Sequence, residues 1–117
     1  MPHLHIEYTA NLDGLDPRRV LDAAMAALRA QGIYDMPTAK GRIRALDHHA
    51  VDHPDCRQAF ISVVLTILPG PTPEQRHRTS AAITEAVASA VPRCTGTQVR
   101  TEVREMDPCG YTSHNVR

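Results

Sequence analysis

The chain has 117 residues, and its 13 basic and 13 acidic side chains give a formal net charge of zero at pH 7. A chain of this length is expected to form one domain, residues 1–117, with a core of modest size. The balanced charge argues against a nucleic-acid partner, because no basic field would attract phosphates. An aromatic content of 3% also leaves few rings on which bases could stack.

The length of the apolar runs and the number of cysteines indicate in which cellular compartment the protein is expected. No apolar run has the length of a signal peptide or a membrane span. The longest one, from Ile61 to Leu68, is interrupted by Ser62 and Thr66 and has the length of a strand. Three cysteines, an odd number without metal-type spacing, favour a reducing compartment. We therefore expect a cytoplasmic protein without a membrane partner.

The first half of the chain predicts a strand, a helix and an extended segment. The alternation from His3 to Thr9 is typical of a strand. Asp16 and Pro17 supply an N-cap and a first-turn proline, and Gly32 supplies the stop. Lys40 to Asp52 is predicted to be extended. Between the cap and the stop, five apolar residues share one helical face: Val20, Leu21, Ala24, Met25 and Leu28.

The second half repeats this order. Gln58 to Leu68 and Thr97 to Met106 are predicted as strands, and Thr72 with Pro73 repeats the pairing of a cap with a proline. Two β-α-β units, at about residues 1–57 and 58–117, predict an α+β fold in which one sheet carries both helices on one face. The other face would need a second subunit to cover it. The apolar face of the second helix comprises Ala82, Ile83, Ala86, Val87 and Ala90.

Pro2 is the first candidate for chemistry. Removal of the initiator methionine before a small residue would leave Pro2 with a free secondary amine. An α-amino group ordinarily titrates near about pH 7.7–8.0, and burial beside cationic groups disfavours its charged form. A neutral amine could take a proton from a substrate and return it elsewhere, as general base and then general acid. From position alone, a proline without any role is the more frequent case.

Arg42 and Arg44 are the next candidates, because residues two apart on a strand point to the same face. A guanidinium binds a carboxylate through paired, charge-assisted hydrogen bonds, although a solvated strand face explains the same spacing. Near Pro2, the side chains of His3 and His5 could line the pocket or could simply be exposed. Those of Glu7 and Tyr8 could orient a substrate hydroxyl, or could have an edge or interface role. The histidines between positions 48 and 53 lack the cysteine or paired carboxylates of a tetrahedral site, so no metal is expected.

Several short motifs follow one another in the order of a known family. The chain opens Met-Pro-His, followed by apolar residues and Glu7. The later motifs are Gly32-Ile33-Tyr34, Gly41-Arg42-Ile43-Arg44, Ala59-Phe60-Ile61, Leu65-Thr66-Ile67, Glu74-Gln75-Arg76, Val103-Arg104-Glu105-Met106-Asp107-Pro108 and Asn115. With these motifs the sequence resembles the 5-carboxymethyl-2-hydroxymuconate isomerase family, a branch of the tautomerase superfamily, over essentially its whole length.

The resemblance implies the tautomerase fold, a duplicated β-α-β unit assembled as a homotrimer, and a cofactor-free isomerase. It implies an active site around Pro2 near a subunit boundary, with Arg42 ranked above Arg44 for binding a carboxylate. The implied substrates are small unsaturated 2-hydroxy or 2-oxo acids and diacids, such as a hydroxymuconate from aromatic-compound catabolism. Family members commonly carry an arginine after the glycine that precedes the second helix, whereas this chain has Pro71 there.

Two other functions fit the same residues. Related members of the superfamily use a protonated N-terminal proline as a general acid in the dehalogenation or hydration of unsaturated acids, and Pro71 in place of an arginine leaves room for that chemistry. The other alternative is a non-catalytic trimeric binding protein that kept the fold. Retention of Met1 would favour the binding protein, because an acylated proline nitrogen is not a base.

Overall fold

The computed structural model describes residues 1–54, 58–93 and 96–116. In that part of the chain, four strands form one sheet in the order β2-β1-β3-β4, accompanied by two α-helices. β1 is parallel to β2, β3 is parallel to β4, and β1 and β3 are antiparallel, so each half of the chain is one β-α-β unit. The predicted α+β fold is thereby confirmed. The elements are β1 (His3–Thr9), α1 (Pro17–Ala30), β2 (Lys40–Leu46), β3 (Ala59–Ile67), α2 (Pro73–Ala90) and β4 (Thr97–Glu105).

Both helices begin at the predicted caps. The Asp16 carboxylate accepts the backbone N–H of Arg18 at 3.1 Å, and Gly32 follows the end of α1 with a φ of 72° that suits a glycine. At the start of α2, Thr72 Oγ1 accepts the backbone N–H of Gln75, and Gln75 Oε1 accepts that of Thr72. This reciprocal capping box satisfies two N–H groups that have no partner inside the helix.

The core lies between the two helices and one face of the sheet. Apolar side chains alternate along the central strands, and those on the core face are fully or almost fully buried: Leu4, Ile6, Ile61, Val63, Leu65 and Ile67. The predicted helix faces pack against them through Val20, Ala24, Leu28, Ile83, Val87 and Ala90. Gly41 on β2 allows α1 to approach, since a Cβ there would lie 3.0 Å from Met25 Sδ and 3.1 Å from Leu21 Cδ1.

β2 is shorter than the sequence predicted. The extended segment was expected to run from Lys40 to Asp52, but the strand ends at Leu46. Leu46 pairs with Thr9, the last residue of β1, and accepts the N–H of Ala10 at 3.0 Å. Beyond this point β1 turns away, so the residues after Leu46 have no neighbouring strand in the described chain on which to continue the ladder.

The second face of the sheet, here called the open face, is not covered by α1 or α2. Its side chains carry charges of both signs, and the Arg104 guanidinium, which donates to Glu102 at 2.9 Å, holds the pKa of that carboxyl below its ordinary value. The open face comprises His3, His5 and Glu7 on β1, Lys40, Arg42 and Arg44 on β2, Phe60, Ser62, Val64 and Thr66 on β3, and Gln98, Arg100, Glu102 and Arg104 on β4.

Cys109 is exposed with a free thiol, whereas Cys56 and Cys94 lie outside the described residues. Across residues 1–54, 58–93 and 96–116, neither helix combines the length and the apolar composition that crossing a bilayer requires.

Candidate active site

Pro2 lies in the wall of a cavity at one end of the sheet. β1 and β2 begin at this end and β3 ends there, so the segments that flank these strands converge on it. Pro2 is fully buried, and its carbonyl accepts the N–H of Lys40 at 3.0 Å. The cavity has a volume of about 390 Å³ and is lined largely by apolar residues. Its apolar wall consists of Ile33, Ile67, Leu68, Pro69 and Pro71.

A hydrogen-bond chain fixes one polar wall of this cavity. Tyr34 lines the cavity, and its hydroxyl oxygen lies 2.8 Å from Thr79 Oγ1. The Thr79 hydroxyl, which is buried, donates to the backbone carbonyl of Gln75 at 2.9 Å. A threonine hydroxyl has one proton, so Tyr34 must be the donor in its bond to Thr79. The Tyr34 side chain is therefore held in place in the cavity wall, and its hydroxyl proton is already used in the hydrogen bond to Thr79.

Asp35 is the one formally charged side chain that lines the cavity within the described part of the chain. One of its carboxylate oxygens accepts the hydroxyl of Thr38 at 3.1 Å. No guanidinium or ammonium side chain accompanies it in the described lining. A carboxylate near an amine favours the protonated, charged form of that amine. The charged side chain in this wall is therefore negative, whereas Arg42 beside Pro2 would have supplied a positive one.

Met1 shares the cavity with Pro2. Its sulfur accepts a hydrogen bond from the hydroxyl of Tyr111, which belongs to the C-terminal segment. While Met1 is present, the nitrogen of Pro2 is part of an amide and has no proton-accepting lone pair. Removal of Met1 would create a secondary amine in the buried wall and would leave the Tyr111 hydroxyl without this partner.

Arg42 and Arg44 lie away from this cavity, on the open face. Together with His5 they line a second cavity of about 300 Å³. Arg42 is paired in register with His5, three residues along β1 from Pro2, which corresponds to about 10 Å at the rise of a strand. Arg44 donates to Glu7 through Nη2 at 2.6 Å and Nε at 2.8 Å. One chain therefore does not bring Pro2 and Arg42 together.

The other predicted side chains of β1 are distributed over both faces of the sheet. His3 adjoins Pro2 and points to the open face, where its buried Nε2 has no hydrogen-bond partner within the described residues. Glu7 is on the same face and is bound to Arg44. Tyr8 lies on the other side of β1, with its half-buried ring against the core. Of these three residues, only His3 is next to Pro2.

The three lining residues with polar side chains were not predicted from the sequence as site residues: Tyr34, Asp35 and Gln75. The first two belong to the segment between α1 and β2, and the third lies in the first turn of α2. The order and direction of the strands could have identified these three residues. With β1 parallel to β2 and antiparallel to β3, the segment before β2 and the segment after β3 must both meet Pro2.

Comparisons with known proteins agree with this architecture. The sequence model of the family described as 5-carboxymethyl-2-hydroxymuconate isomerase matches residues 2–116. The crystal structure of a 5-carboxymethyl-2-hydroxymuconate isomerase from Deinococcus radiodurans R1 is 26% identical, with a TM-score of 0.83 over 98% of this chain and 90% of that one. A comparison with curated proteins found no match.

Two more distant structures share the fold. A crystal structure of a 5-carboxymethyl-2-hydroxymuconate delta-isomerase is 19% identical, with a TM-score of 0.75 over 99% of this chain and 89% of that one. A fused 4-OT described as a wild-type symmetric trimer is 15% identical, with a TM-score of 0.78 over 97% of this chain and 92% of that one. Since the family match spans nearly the whole sequence, this chain belongs to the 5-carboxymethyl-2-hydroxymuconate isomerase family of the tautomerase superfamily and is an isomerase.

Proposed function

We propose that this isomerase is a cofactor-free tautomerase in which the amine of Pro2, freed by removal of Met1, moves a proton on a small unsaturated 2-hydroxy or 2-oxo acid, such as a hydroxymuconate from aromatic-compound catabolism. The observation that carries the proposal is the complete burial of Pro2 in the wall of a cavity of about 390 Å³. A cavity of this size suits a small organic acid. The backbone bond from Lys40 to the Pro2 carbonyl fixes the position of the amine.

The proposed isomerisation needs one group that first accepts a proton as a base and then returns it as an acid. The neutral Pro2 nitrogen accepts the proton of the substrate's 2-hydroxyl group, the oxygen becomes a carbonyl, and the double bonds shift along the chain. The resulting ammonium then donates the proton to a distal carbon, so the amine is restored and no atoms are gained or lost. The apolar wall around Pro2 strengthens electrostatic contacts by excluding water.

Arg42 is proposed to bind the substrate carboxylate at the Pro2 of a neighbouring subunit. Its side chain lies on the open face and makes no hydrogen bond or ion pair with the described residues, whereas the guanidinium of Arg44 is bound to Glu7. Arg44, Glu7 and His3 are proposed to line the same shared site. The orphaned Nε2 of His3 supports contact with a second molecule, because an unpaired buried polar atom costs about 1–3 kcal/mol.

The assembly that creates this shared site is proposed to be a homotrimer. The open face combines charges of both signs with the half-buried apolar side chains of Phe60 and Val64. A sheet face of this composition complements a copy of itself better than it complements a polyanion or a polycation. The symmetric trimer formed by the fused 4-OT, which shares the fold, supports this stoichiometry.

Asp35 favours a second candidate function. A carboxylate in the Pro2 cavity stabilises a protonated amine. A protonated Pro2 would act as a general acid, as in the dehalogenation or hydration of an unsaturated acid. Incubation with a hydroxymuconate and, separately, with a 3-haloacrylate distinguishes the two functions, since halide is released only in the second reaction.

The proposed base is tested by preparing two forms of the chain that differ only at Met1. The structure accommodates Met1 in the cavity, so a chain that keeps Met1 is expected to fold. Protein made without methionine aminopeptidase should be inactive on 2-hydroxymuconate, and treatment with that enzyme should restore turnover. Intact mass establishes which form is present. Full activity of the Met1-retaining form would refute the role of Pro2.

A substitution of Pro2 tests the same role from another side. Pro2→Ala is expected to reduce turnover by orders of magnitude, because the ring that fixes the geometry of the amine is lost. Pro92→Ala, which changes a proline beyond the end of α2, is the matched control and should keep the wild-type rate. Wild-type turnover in Pro2→Ala would contradict the proposal.

A further inference from the structure

We propose that Gln75 is a further catalytic residue, whose side-chain NH₂ group donates a hydrogen bond to the 2-oxygen of the substrate and stabilises the negative charge that develops there. This inference rests on the proposed function, because it assumes a substrate held beside Pro2.

The capping box fixes the orientation of the Gln75 amide. Gln75 Oε1 accepts the backbone N–H of Thr72 at 2.8 Å. A backbone N–H can only donate, so the atom that faces Thr72 must be the amide oxygen and not the nitrogen. Gln75 is one of the residues that line the Pro2 cavity. The NH₂ group is then the free end of its side chain, and no described residue accepts a hydrogen bond from it.

The other side chains near the cavity do not offer a comparable donor. The proton of Tyr34 is committed to Thr79, as the bond from Thr79 to the Gln75 carbonyl requires. Arg76 follows Gln75 in sequence, but it is not among the residues that line the cavity, and its Nη1 donates to the Pro71 carbonyl at 2.9 Å and to Glu105 at 2.6 Å. Among the described lining side chains, the Gln75 amide is therefore the one uncommitted donor besides a freed Pro2 amine.

The charge in the cavity explains why the reaction needs this donor. Loss of the 2-hydroxyl proton to Pro2 places negative charge on the oxygen nearest to that amine. The charged group in the described lining is Asp35, which repels such an oxygen. A neutral donor fixed in advance lowers the energy of the developing charge without reorganising during the reaction. Gln75 meets this condition because the capping box already holds its side chain.

The Gln75→Glu variant removes the side-chain NH₂ donor while it keeps an oxygen that can accept the N–H of Thr72 in the capping box. A glutamate oxygen can still accept the N–H of Thr72, and a carboxylate suits the first turn of a helix, so the thermal midpoint should stay within a few degrees of wild type. The NH₂ group is replaced by a carboxylate oxygen. We expect kcat on 2-hydroxymuconate to fall by about a hundredfold or more, as when one donor to a developing oxyanion is removed. Gln75→Met, which removes the donor without adding charge, should show the same loss in kcat.

Arg78→Gln is the matched control, because Arg78 is exposed on α2 and its loss changes the net charge by the same amount. It should leave kcat unchanged. Wild-type kcat in Gln75→Glu, or a loss confined to KM, would overturn the assignment of Gln75. If Pro2→Ala is inactive while Gln75→Glu keeps its kcat, only the Gln75 inference fails. If Pro2→Ala keeps the wild-type rate, the proposed function itself fails.

Discussion

Asp35 and Pro2 line the same cavity, and among the side chains of the described lining residues Asp35 is the one that carries a formal charge. If Pro2 acts as the proposed base once Met1 is removed, a carboxylate in the same cavity would stabilise the protonated form of its amine. In the proposed function, Asp35 would therefore shift the balance between base and acid chemistry at Pro2.

Substitution of Asp35 should move the pH profile. In Asp35→Asn the protonated amine loses its stabilising charge, so the neutral base persists at lower pH. The acidic limb of log kcat/KM against pH should consequently shift to lower pH. Asp13→Asn, at an exposed turn, is the control and should leave the profile unchanged. An unchanged profile in Asp35→Asn, or a shift to higher pH, would show that Asp35 does not act on the amine.

The fold was largely predictable because its signals are local. The caps at Asp16 and Thr72 and the alternation in β3 each reside in a few consecutive residues. The extent of β2 was not predictable in this way, since Leu46 ends the strand only because its partner β1 ends at Thr9.

The candidate site was less predictable because it depends on which strands are neighbours. Pro2 was found from its place at the N-terminus. Tyr34 and Gln75 reach the same cavity only through the strand order, which no local pattern specifies. Arg42 was expected near Pro2, but residue spacing does not reveal that its side chain lies on the open face, about 10 Å away along the sheet.

Tyr34 should contribute to stability more than to catalysis. Tyr34→Phe removes the donor to Thr79, and the loss of one partly buried hydrogen bond is expected to lower the free energy of unfolding by about 1 kcal/mol. Because the hydroxyl proton is committed to Thr79, kcat should fall by less than about tenfold, or about 1.4 kcal/mol in activation free energy. Chemical denaturation and steady-state kinetics check the two parts. A loss of kcat above a hundredfold with unchanged stability would show that Tyr34 donates to the substrate instead.

The contact between α1 and β2 depends on the absence of a side chain at Gly41. A Cβ at this position would lie 3.0 Å from Met25 Sδ and 3.1 Å from Leu21 Cδ1. Gly41→Ala is expected to lower the free energy of unfolding by about 1–3 kcal/mol, as other overpacked sites do. In a Met25→Ala background the same change should cost less, because the nearest clashing atom is gone. Equal costs in the two backgrounds, measured as a double-mutant cycle, would contradict this packing argument.

The open face should determine both assembly and activity. Val64 is half-buried at its centre, between His5 on β1 and Glu102 on β4. Val64→Glu would place an unpaired negative charge in the proposed subunit contact, which would weaken that contact. Sedimentation equilibrium should therefore show a shift from trimer to monomer. Turnover should fall with it, because Arg42 would no longer reach the Pro2 of a neighbour. Ala81→Glu, on the exposed side of α2, should affect neither measurement. A monomeric Val64→Glu with wild-type turnover would place the whole active site within one chain.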